Sequence, residues 1–254
     1  MKKNSPFSKP KYHQEARQIS NLKNEFLLVW RGMNIDSAVR HTFFVLISIV
    51  LLIIVIYGLS AFLKESILFL TLKNFIGLSS DRSLAEIINY GFAFLSSVLF
   101  FIAFLETRSL TLLTASIFMG FVWFDDSMSY HERVGSWLVR KFDLGGFLSL
   151  RPQDTGEVLA WAAAALPLLI IFLIAFVRRR AGDLGIVGHF LAGLIGLIFC
   201  GIVVDLVHVA APLRFNVVFE LVEDGGEMLA ITYIAWLSAA VCRNASRYYS
   251  SFSQ

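Results

Sequence analysis

The sequence predicts an all-α integral membrane protein with six transmembrane helices and both termini in the cytoplasm. Its 254 residues are 57% hydrophobic and only 16% charged, whereas an ordinary soluble domain is about 45–50% apolar and about 25% charged. The apolar residues fall into six runs of roughly 20 residues, enough for a helix to cross a ~30 Å hydrocarbon core. The basic residues cluster between these runs, which indicates a fixed orientation in the membrane.

The N-terminal region, residues 1–40, is predicted to be a basic cytoplasmic tail. From Ile19 to Met33 its apolar residues recur at helical spacing, which indicates an amphipathic helix. Such a helix suits an anionic membrane surface, and packing on the protein's own cytoplasmic side explains the pattern equally well. Residues 41–242 form the predicted six-helix domain, and residues 243–254 a short cytoplasmic tail.

The six predicted spans are separated by short polar segments. They cover residues 42–63, 87–105, 109–130, 158–177, 186–211 and 217–241. Two further segments, 66–78 and 137–150, combine apolar and aromatic residues with lysine and arginine but are too interrupted to span. We expect both in the membrane interface, where they anchor the outer side or cover it as a lid.

The distribution of lysine and arginine sets the predicted orientation. With six spans, fourteen of the 22 basic residues fall on the side of the two termini and eight on the other. Cytoplasmic loops have the excess of positive charge. The sequence therefore predicts a multi-pass protein of the cytoplasmic (inner) membrane, and a net charge of +3 gives no indication of nucleic-acid binding.

Two polar stretches interrupt the apolar runs, at residues 125–132 and 205–227. Acidic side chains are costly in a membrane and usually mark a function. In the predicted topology both stretches lie at the outer ends of their helices, at similar depth. Helical spacing places Asp205 with His208, and Glu220 with Asp224 and Glu227, on common faces. Asp125 and Glu132, seven residues apart, share a face if the third helix continues past residue 130.

So many acids side by side cannot all be ionised without a proton, a cation or water. Carboxylates with imidazoles bind Zn, Mn or Fe, and carboxylates alone suit Ca. The sequence therefore predicts a site for a divalent metal ion of unknown identity. Its predicted ligands are Asp126, His131, Glu132, Asp205, His208, Glu220, Glu223 and Glu227.

Simpler interpretations of the same residues stay open. The first polar stretch would also suit an exposed loop at the membrane boundary, and Asp205 with His208 a hydrogen-bonded pair between helices. Gly225 and Gly226 indicate either a close approach of another backbone or a locally unwound helix. The fifth run has a small residue at every fourth position from Gly188 to Cys200, which predicts tight helix packing, and His189 is expected to be a packing residue.

Three functions fit this pattern. In the first, the metal activates water or oxygen against a lipid-like substrate that enters from the bilayer, with a free carboxylate as general base. In the second, the same acids bind and release an ion in a proton- or cation-coupled transporter or channel. In the third, a non-catalytic subunit docks a membrane protein partner or another copy of itself. The sequence contains no nucleophile elbow, P-loop, HExxH or dinucleotide fingerprint.

Overall fold

The structure is a computed structural model that describes residues 11–62, 71, 75–78, 83–146, 151–212 and 215–250. Every regular element in these residues is a helix, and no strand occurs among them. The all-α prediction is therefore confirmed. Most of the predicted interfacial segment 66–78 lies outside the described residues, as do residues 147–150 of the second.

We number the helices in chain order. They are α1 (Lys11–Ile35), α2 (Ser37–Phe62), α3 (Leu84–Thr107), α4 (Leu110–Met128), α5 (Tyr130–Phe142), α6 (Pro152–Val177), α7 (Asp183–Ile198), α8 (Asp205–Ala210) and α9 (Asn216–Ser250). A π-helical segment, Phe199–Val204, joins α7 to α8 without a break. The predicted fifth span is thus one helical rod with a wider turn near its end.

Five helices in the described part of the chain are long and apolar enough to cross a membrane. They are Ser37–Ser60, Leu84–Thr107, Pro152–Val177, Asp183–His208 and Asn216–Ser250. The remaining predicted span corresponds to α4, which is 19 residues long. Because two aspartates occupy its last turn, its hydropathy is lower than that of the other five. The sixth span and the orientation stay predictions.

Local sequence signals fix the helix boundaries near the polar cluster. The Ser83 hydroxyl caps α3 by accepting a hydrogen bond from the amide of Glu86. Ser129 adopts a left-handed conformation with φ of 46°, which ends α4 and lets α5 start in a new direction. Pro152 occupies the start of α6, where the Asp154 carboxylate caps the helix by accepting hydrogen bonds from the Arg151 amide and guanidinium.

Helix α9 is the centre of the bundle. It packs against α1, α2, α3, α7, the π segment and α8, and its buried face includes Ile231, Ile234 and Leu237, which are fully buried. Its 35 residues span about 52 Å, more than a bilayer core requires. It therefore extends beyond the apolar zone and links the two ends of the bundle.

Helix α1 packs on the body of the protein. Val29 and Met33 belong to the main core cluster, and the ring of Phe26 stacks on that of His189 at 3.7 Å between centroids. The Nε2 and Nδ1 atoms of His189 lie 3.1 Å from the Phe26 carbonyl and 2.6 Å from the Tyr233 hydroxyl. The prediction of a packing role for His189 is confirmed, and of the two interpretations of α1 the structure has the packed one.

The basic end of the bundle is held by the buried carboxylate of Asp183 at the start of α7. It accepts hydrogen bonds from the Ser109 hydroxyl at 2.8 Å and the Tyr249 hydroxyl at 2.5 Å. The start of α4, the turn before α7 and the end of α9 therefore meet at one point. The polar cluster lies at the opposite end of these helices.

Three of the four small residues in the predicted row of the fifth span, Gly188, Gly196 and Cys200, lie against neighbouring helices as predicted, whereas Ala192 is exposed. A Cβ atom on Gly188 would lie 3.1 Å from the Phe26 ring of α1, and one on Gly196 would lie 3.5 Å from Ala230 of α9. Gly226 of α9 faces Cys200 so closely that a Cβ atom there would overlap its sulfur. Helix α9 is continuous at Gly225 and Gly226, so the close approach is present and the unwinding is not.

Candidate functional site

The predicted polar residues surround a cavity of about 660 Å³ bounded by α3, α4, α5, α6, α7, the π segment, α8 and α9. Nine acidic residues line it: Glu86, Asp126, Glu132, Asp154, Glu157, Asp205, Glu223, Asp224 and Glu227. None of the described lining residues is a lysine or an arginine. Apolar side chains, among them Phe118, Leu168 and Leu194, form the rest of the wall. The cavity thus has one acidic and one apolar part.

Histidine 131 is fixed at the acidic part by Asp125, the last fully buried carboxylate of α4. Asp125 accepts a hydrogen bond from the His131 amide at 3.0 Å, and its second oxygen lies 2.9 Å from Nδ1 of the ring. Since a carboxylate only accepts, Nδ1 is the donor and Nε2 is left toward the cavity. A buried acid behind a histidine is the usual support of a metal-binding imidazole.

The charges around His131 favour a cation. Burial lowers the pKa of His131, but the hydrogen bond and charge of Asp125 and the charges of Glu157 and Glu132 together raise it above its ordinary value. A proton on the ring is stabilised by the surrounding carboxylates. A metal ion at the same place would be stabilised by them in the same way.

The structure corrects the prediction for the first polar stretch. Helix α4 ends at Met128 and α5 starts at Tyr130, so Asp125 and Glu132 are not on one helical face. Asp125 is completely buried, which also excludes the exposed-loop interpretation. Glu132 is exposed at the rim of the cavity, and the turn at Ser129 instead directs His131 back toward Asp125.

Carboxylates from α4, the α7–α8 rod and α9 converge as predicted. Glu227 of α9 interacts electrostatically with Asp126 of α4 and with Asp205 at the end of the π segment. Gly201, one π turn before Asp205, makes room for it, because a Cβ atom there would overlap the Glu227 carboxylate. The π turn, a frequent feature of functional sites, therefore forms the wall against which Glu227 lies.

Behind the acidic wall, hydrogen bonds join five side chains of α2, α8 and α9. The Tyr57 hydroxyl donates to Glu220, whose other carboxylate oxygen accepts from Asn216 at 2.5 Å. The Asn216 amide oxygen lies 2.8 Å from Nε2 of His208, and Nδ1 of His208 lies 2.8 Å from Glu223. Glu223 also lines the cavity. The chain thus leads from Tyr57 to the cavity wall.

These hydrogen bonds change the assignment of His208 and Glu220 as metal ligands. Both ring nitrogens of His208 have protein partners, and neither residue lines the cavity. The expected contact between His208 and Glu223 is present, but among the described residues no hydrogen bond joins Asp205 to His208. Of the eight predicted ligands, six line the cavity: Asp126, His131, Glu132, Asp205, Glu223 and Glu227.

Four cavity residues were missed by the sequence analysis. Asp154 and Glu157 occupy the first turns of α6, and Glu86 and Asn89 those of α3. Each pair is three residues apart and so shares a face with its neighbour. That spacing is a usable signal, but Glu86, Asp154 and Glu157 only border the predicted apolar runs, and Asn89 is a single amide just inside one of them.

The donors do not already form a metal-binding group. In the described ranges no three His, Cys, Asp or Glu side chains lie close enough together to hold an ion as they stand. Asp154 is engaged with Arg151 at 2.7 Å, and Glu157 accepts from Gln153 at 2.6 Å. A bound ion would therefore require rearrangement of the carboxylates that surround His131.

The described residues form an all-helical protein with five helices long and apolar enough to cross a membrane, and with an acidic, partly apolar cavity at one end. The chain belongs to the family described as a domain of unknown function, DUF8692, which matches residues 83–242. This range includes every acidic residue that lines the cavity. No curated protein and no solved structure matches the chain.

Proposed function

We propose that the cavity is the active site of a metal-dependent membrane enzyme that acts on a lipid-like substrate. The observation on which this proposal rests is the fixed imidazole of His131, whose Nδ1 is held by the buried carboxylate of Asp125. His131 and several acidic side chains line the same cavity, and these side chains can supply the remaining ligands of a metal ion bound at Nε2. The apolar part of the cavity suits a hydrocarbon chain, and its volume is within the range of about 300–1,000 Å³ typical of ligand sites.

The residues that would hold the ion are His131, Asp126, Asp205 and Glu227, with Glu223 at the edge of the group. Zn, Mn and Fe accept such mixed nitrogen and oxygen ligands, whereas Ca would bind the carboxylates alone. A bound metal would lower the pKa of a water molecule and polarise the substrate. Glu157, which lies near His131, is the carboxylate available as general base.

We further propose that the protein crosses the cytoplasmic (inner) membrane six times and that both termini lie in the cytoplasm. Two features support this orientation. The arginines at 108 and 178–180 lie at the end of the bundle where Asp183 joins α4, α7 and α9, together with the N-terminal helix. The acidic cavity opens at the opposite end, which would then face outward.

Metal titration tests the proposal. We expect purified, chelator-stripped protein to bind one divalent ion per chain and to gain thermal stability, because a ligand that binds only the folded state stabilises it. His131→Gln should abolish the effect, and Asp125→Asn should weaken binding by about 10–100-fold, as loss of a residue behind a metal ligand does. His41→Gln, an exposed histidine of α2, is the control and should bind normally.

The hydrogen-bonded chain favours a second candidate, a proton- or cation-coupled transporter. Tyr57, Glu220, Asn216, His208 and Glu223 form a continuous series of donors and acceptors that ends at the cavity. Such series of ionisable residues occur in proton pathways. If stripped protein binds no metal at all while Glu223→Gln blocks ion-driven uptake into vesicles, the transporter replaces the enzyme. Unchanged uptake by Glu223→Gln would remove the transporter.

A further inference from the structure

The cavity has a side that faces the bilayer between α6 and the α7–π rod. Helix α6 packs closely against α4 and α5 only, among the helices that the structure describes. Near the basic end, Phe172 and Phe176 of α6 close the space toward α7. Nearer the acidic end, Ala165 of α6 and Ile198 of α7 both line the cavity and are both exposed. In a membrane-spanning protein these rim positions meet lipid chains.

The polar part of the cavity is short of hydrogen-bond donors. Asn89 is 92% buried and lines the cavity, yet its amide oxygen has no hydrogen-bond partner among the described atoms. A buried acceptor of this kind costs free energy until a donor reaches it. Asp126, Asp224 and Glu227 also line this part, and no described side chain donates a hydrogen bond to them. A ligand with N–H groups and positive charge would meet both features of this part of the cavity, the unpartnered Asn89 oxygen and the acidic wall.

We infer that the cavity binds an amphiphile with one aliphatic chain and an ammonium headgroup that has N–H donors, and that this molecule enters from the bilayer between α6 and α7. The headgroup would donate to Asn89 and neutralise part of the carboxylate charge, and the chain would lie along Phe118, Leu168 and Leu194. This inference rests on the proposed function, for which it names the substrate class. Asp224 also lines the cavity and is not among the proposed metal ligands, so a metal ion and an ammonium headgroup do not exclude each other.

Alternative headgroups fit less well. A phosphate or carboxylate would add negative charge to a wall that contains nine acidic residues and, among the described lining residues, no lysine or arginine. A neutral alcohol could donate to Asn89 but would add no positive charge beside the acidic wall. A quaternary ammonium has the charge but no N–H donor for the Asn89 oxygen.

Binding of four twelve-carbon probes tests the inference. Dodecylammonium, dodecyltrimethylammonium, dodecanol and dodecanoate are each titrated into the protein in phosphatidylcholine nanodiscs, with and without added metal, and followed by calorimetry. We expect dodecylammonium to bind at least about tenfold more tightly than the others, the factor that a charge-assisted hydrogen bond in a buried site provides. Equal binding of dodecanoate and dodecylammonium would overturn the inference.

Matched variants locate the site. Asn89→Leu removes the unpartnered acceptor and should weaken dodecylammonium binding by about tenfold, whereas Glu106→Gln at the exposed opposite end of α3 should not. Ala165→Phe should obstruct entry and slow binding, while Ala163→Phe, exposed on the same helix but outside the cavity, should leave it unchanged. If Asn89→Leu does not fold, Asn89→Asp keeps the acceptor and should retain or strengthen binding. No effect of the Asn89 and Ala165 variants contradicts the site.

The titrations with and without added metal distinguish a failure of this inference from a failure of the proposed function. Dodecylammonium binding in protein that takes up no metal would refute the metal-dependent enzyme and leave the amphiphile site intact. Metal binding at His131 without any preference among the four probes would refute the amphiphile site and leave the metal centre intact.

Discussion

The substitution Gly201→Ala is expected to disturb the site while leaving the fold intact. Gly201 belongs to the π segment, and a Cβ atom there would take the place of a Glu227 carboxylate oxygen and lie 3.0 Å from its Cδ. The backbone does not block the new methyl group. The flexible end of Glu227 has to move, and with it a carboxyl group that faces Asp126 and Asp205.

The magnitudes follow from two opposing terms. Replacing glycine by alanine within a helix stabilises by up to about 1 kcal/mol. Driving Glu227 from its preferred rotamer costs about 0.5–1.5 kcal/mol. The net change in the free energy of unfolding should therefore stay within about 1 kcal/mol of zero. Metal affinity should fall by at least about tenfold, since the ion loses a positioned carboxylate.

The assay pairs thermal unfolding in detergent with metal titration of the same samples. Gly91→Ala is the control, because Gly91 is an exposed residue of α3 with nothing within 4 Å of its added Cβ atom. It should be about 0.5–1 kcal/mol more stable than the parent protein and bind metal normally. Unchanged metal affinity in Gly201→Ala would refute the role given to Glu227, and a large loss of stability would refute the argument that only the side chain has to move.

Three further predictions concern the scaffold. Gly193→Ala should destabilise the protein by about 1–3 kcal/mol in thermal unfolding without affecting metal binding, because its Cβ atom would lie 2.5 Å from Cγ1 of Ile234 in the core; an unchanged midpoint contradicts it. The hydrogen bond from the Arg243 guanidinium of α9 lowers the pKa of Asp36. The ionised Asp36 carboxylate therefore stabilises the fold fully above its unfolded pKa of about 3.9. This stabilisation is lost as the pH falls through the lower pKa of the folded state. Asp36→Asn should accordingly be less stable than the parent at pH 7 and equally stable once the Asp36 carboxyl of the parent is protonated, as urea unfolding at several pH values would show. A stability difference that persists in acid contradicts a stabilising role for the ionised Asp36 carboxylate. Reporter fusions at the C-terminus and between α5 and α6 should report opposite sides of the membrane, and the same side for both would exclude six spans with cytoplasmic termini.

The sequence could predict the long helices because their apolar periodicity and length are strong, local signals. The predicted spans begin at residues 87 and 158, whereas capping by Ser83 and by Asp154 starts α3 at Leu84 and α6 at Pro152, because the polar first turns of both helices lie outside the apolar runs. The break at Ser129 could not be predicted, since a left-handed serine leaves no hydrophobic pattern. Residues 125–132 therefore look like the end of a single helix in the sequence, whereas in the structure they join α4 to α5.

The convergence of acids was predictable from topology, but their partners were not. Depth along each span indicated that Asp126, Asp205 and Glu227 would lie close together. Which atoms meet depends on helix rotation, and the π turn that rotates Asp205 toward Glu227 has no recognised sequence code. For the same reason His208 appeared as a ligand, whereas its rotation directs both ring nitrogens to Asn216 and Glu223.

A metal centre at His131 is tested by the number of imidazole nitrogens that are bound to the metal. X-ray absorption on protein loaded with Zn²⁺ counts them and distinguishes nitrogen and oxygen from sulfur ligands. His131 is the one cavity-lining histidine of the described residues, and Cys200 and Cys242 do not line the cavity. We expect one imidazole, oxygen atoms for the remaining ligands, no sulfur, and loss of the imidazole signal in His131→Gln. A spectrum without imidazole, or an imidazole signal that survives His131→Gln, would contradict it.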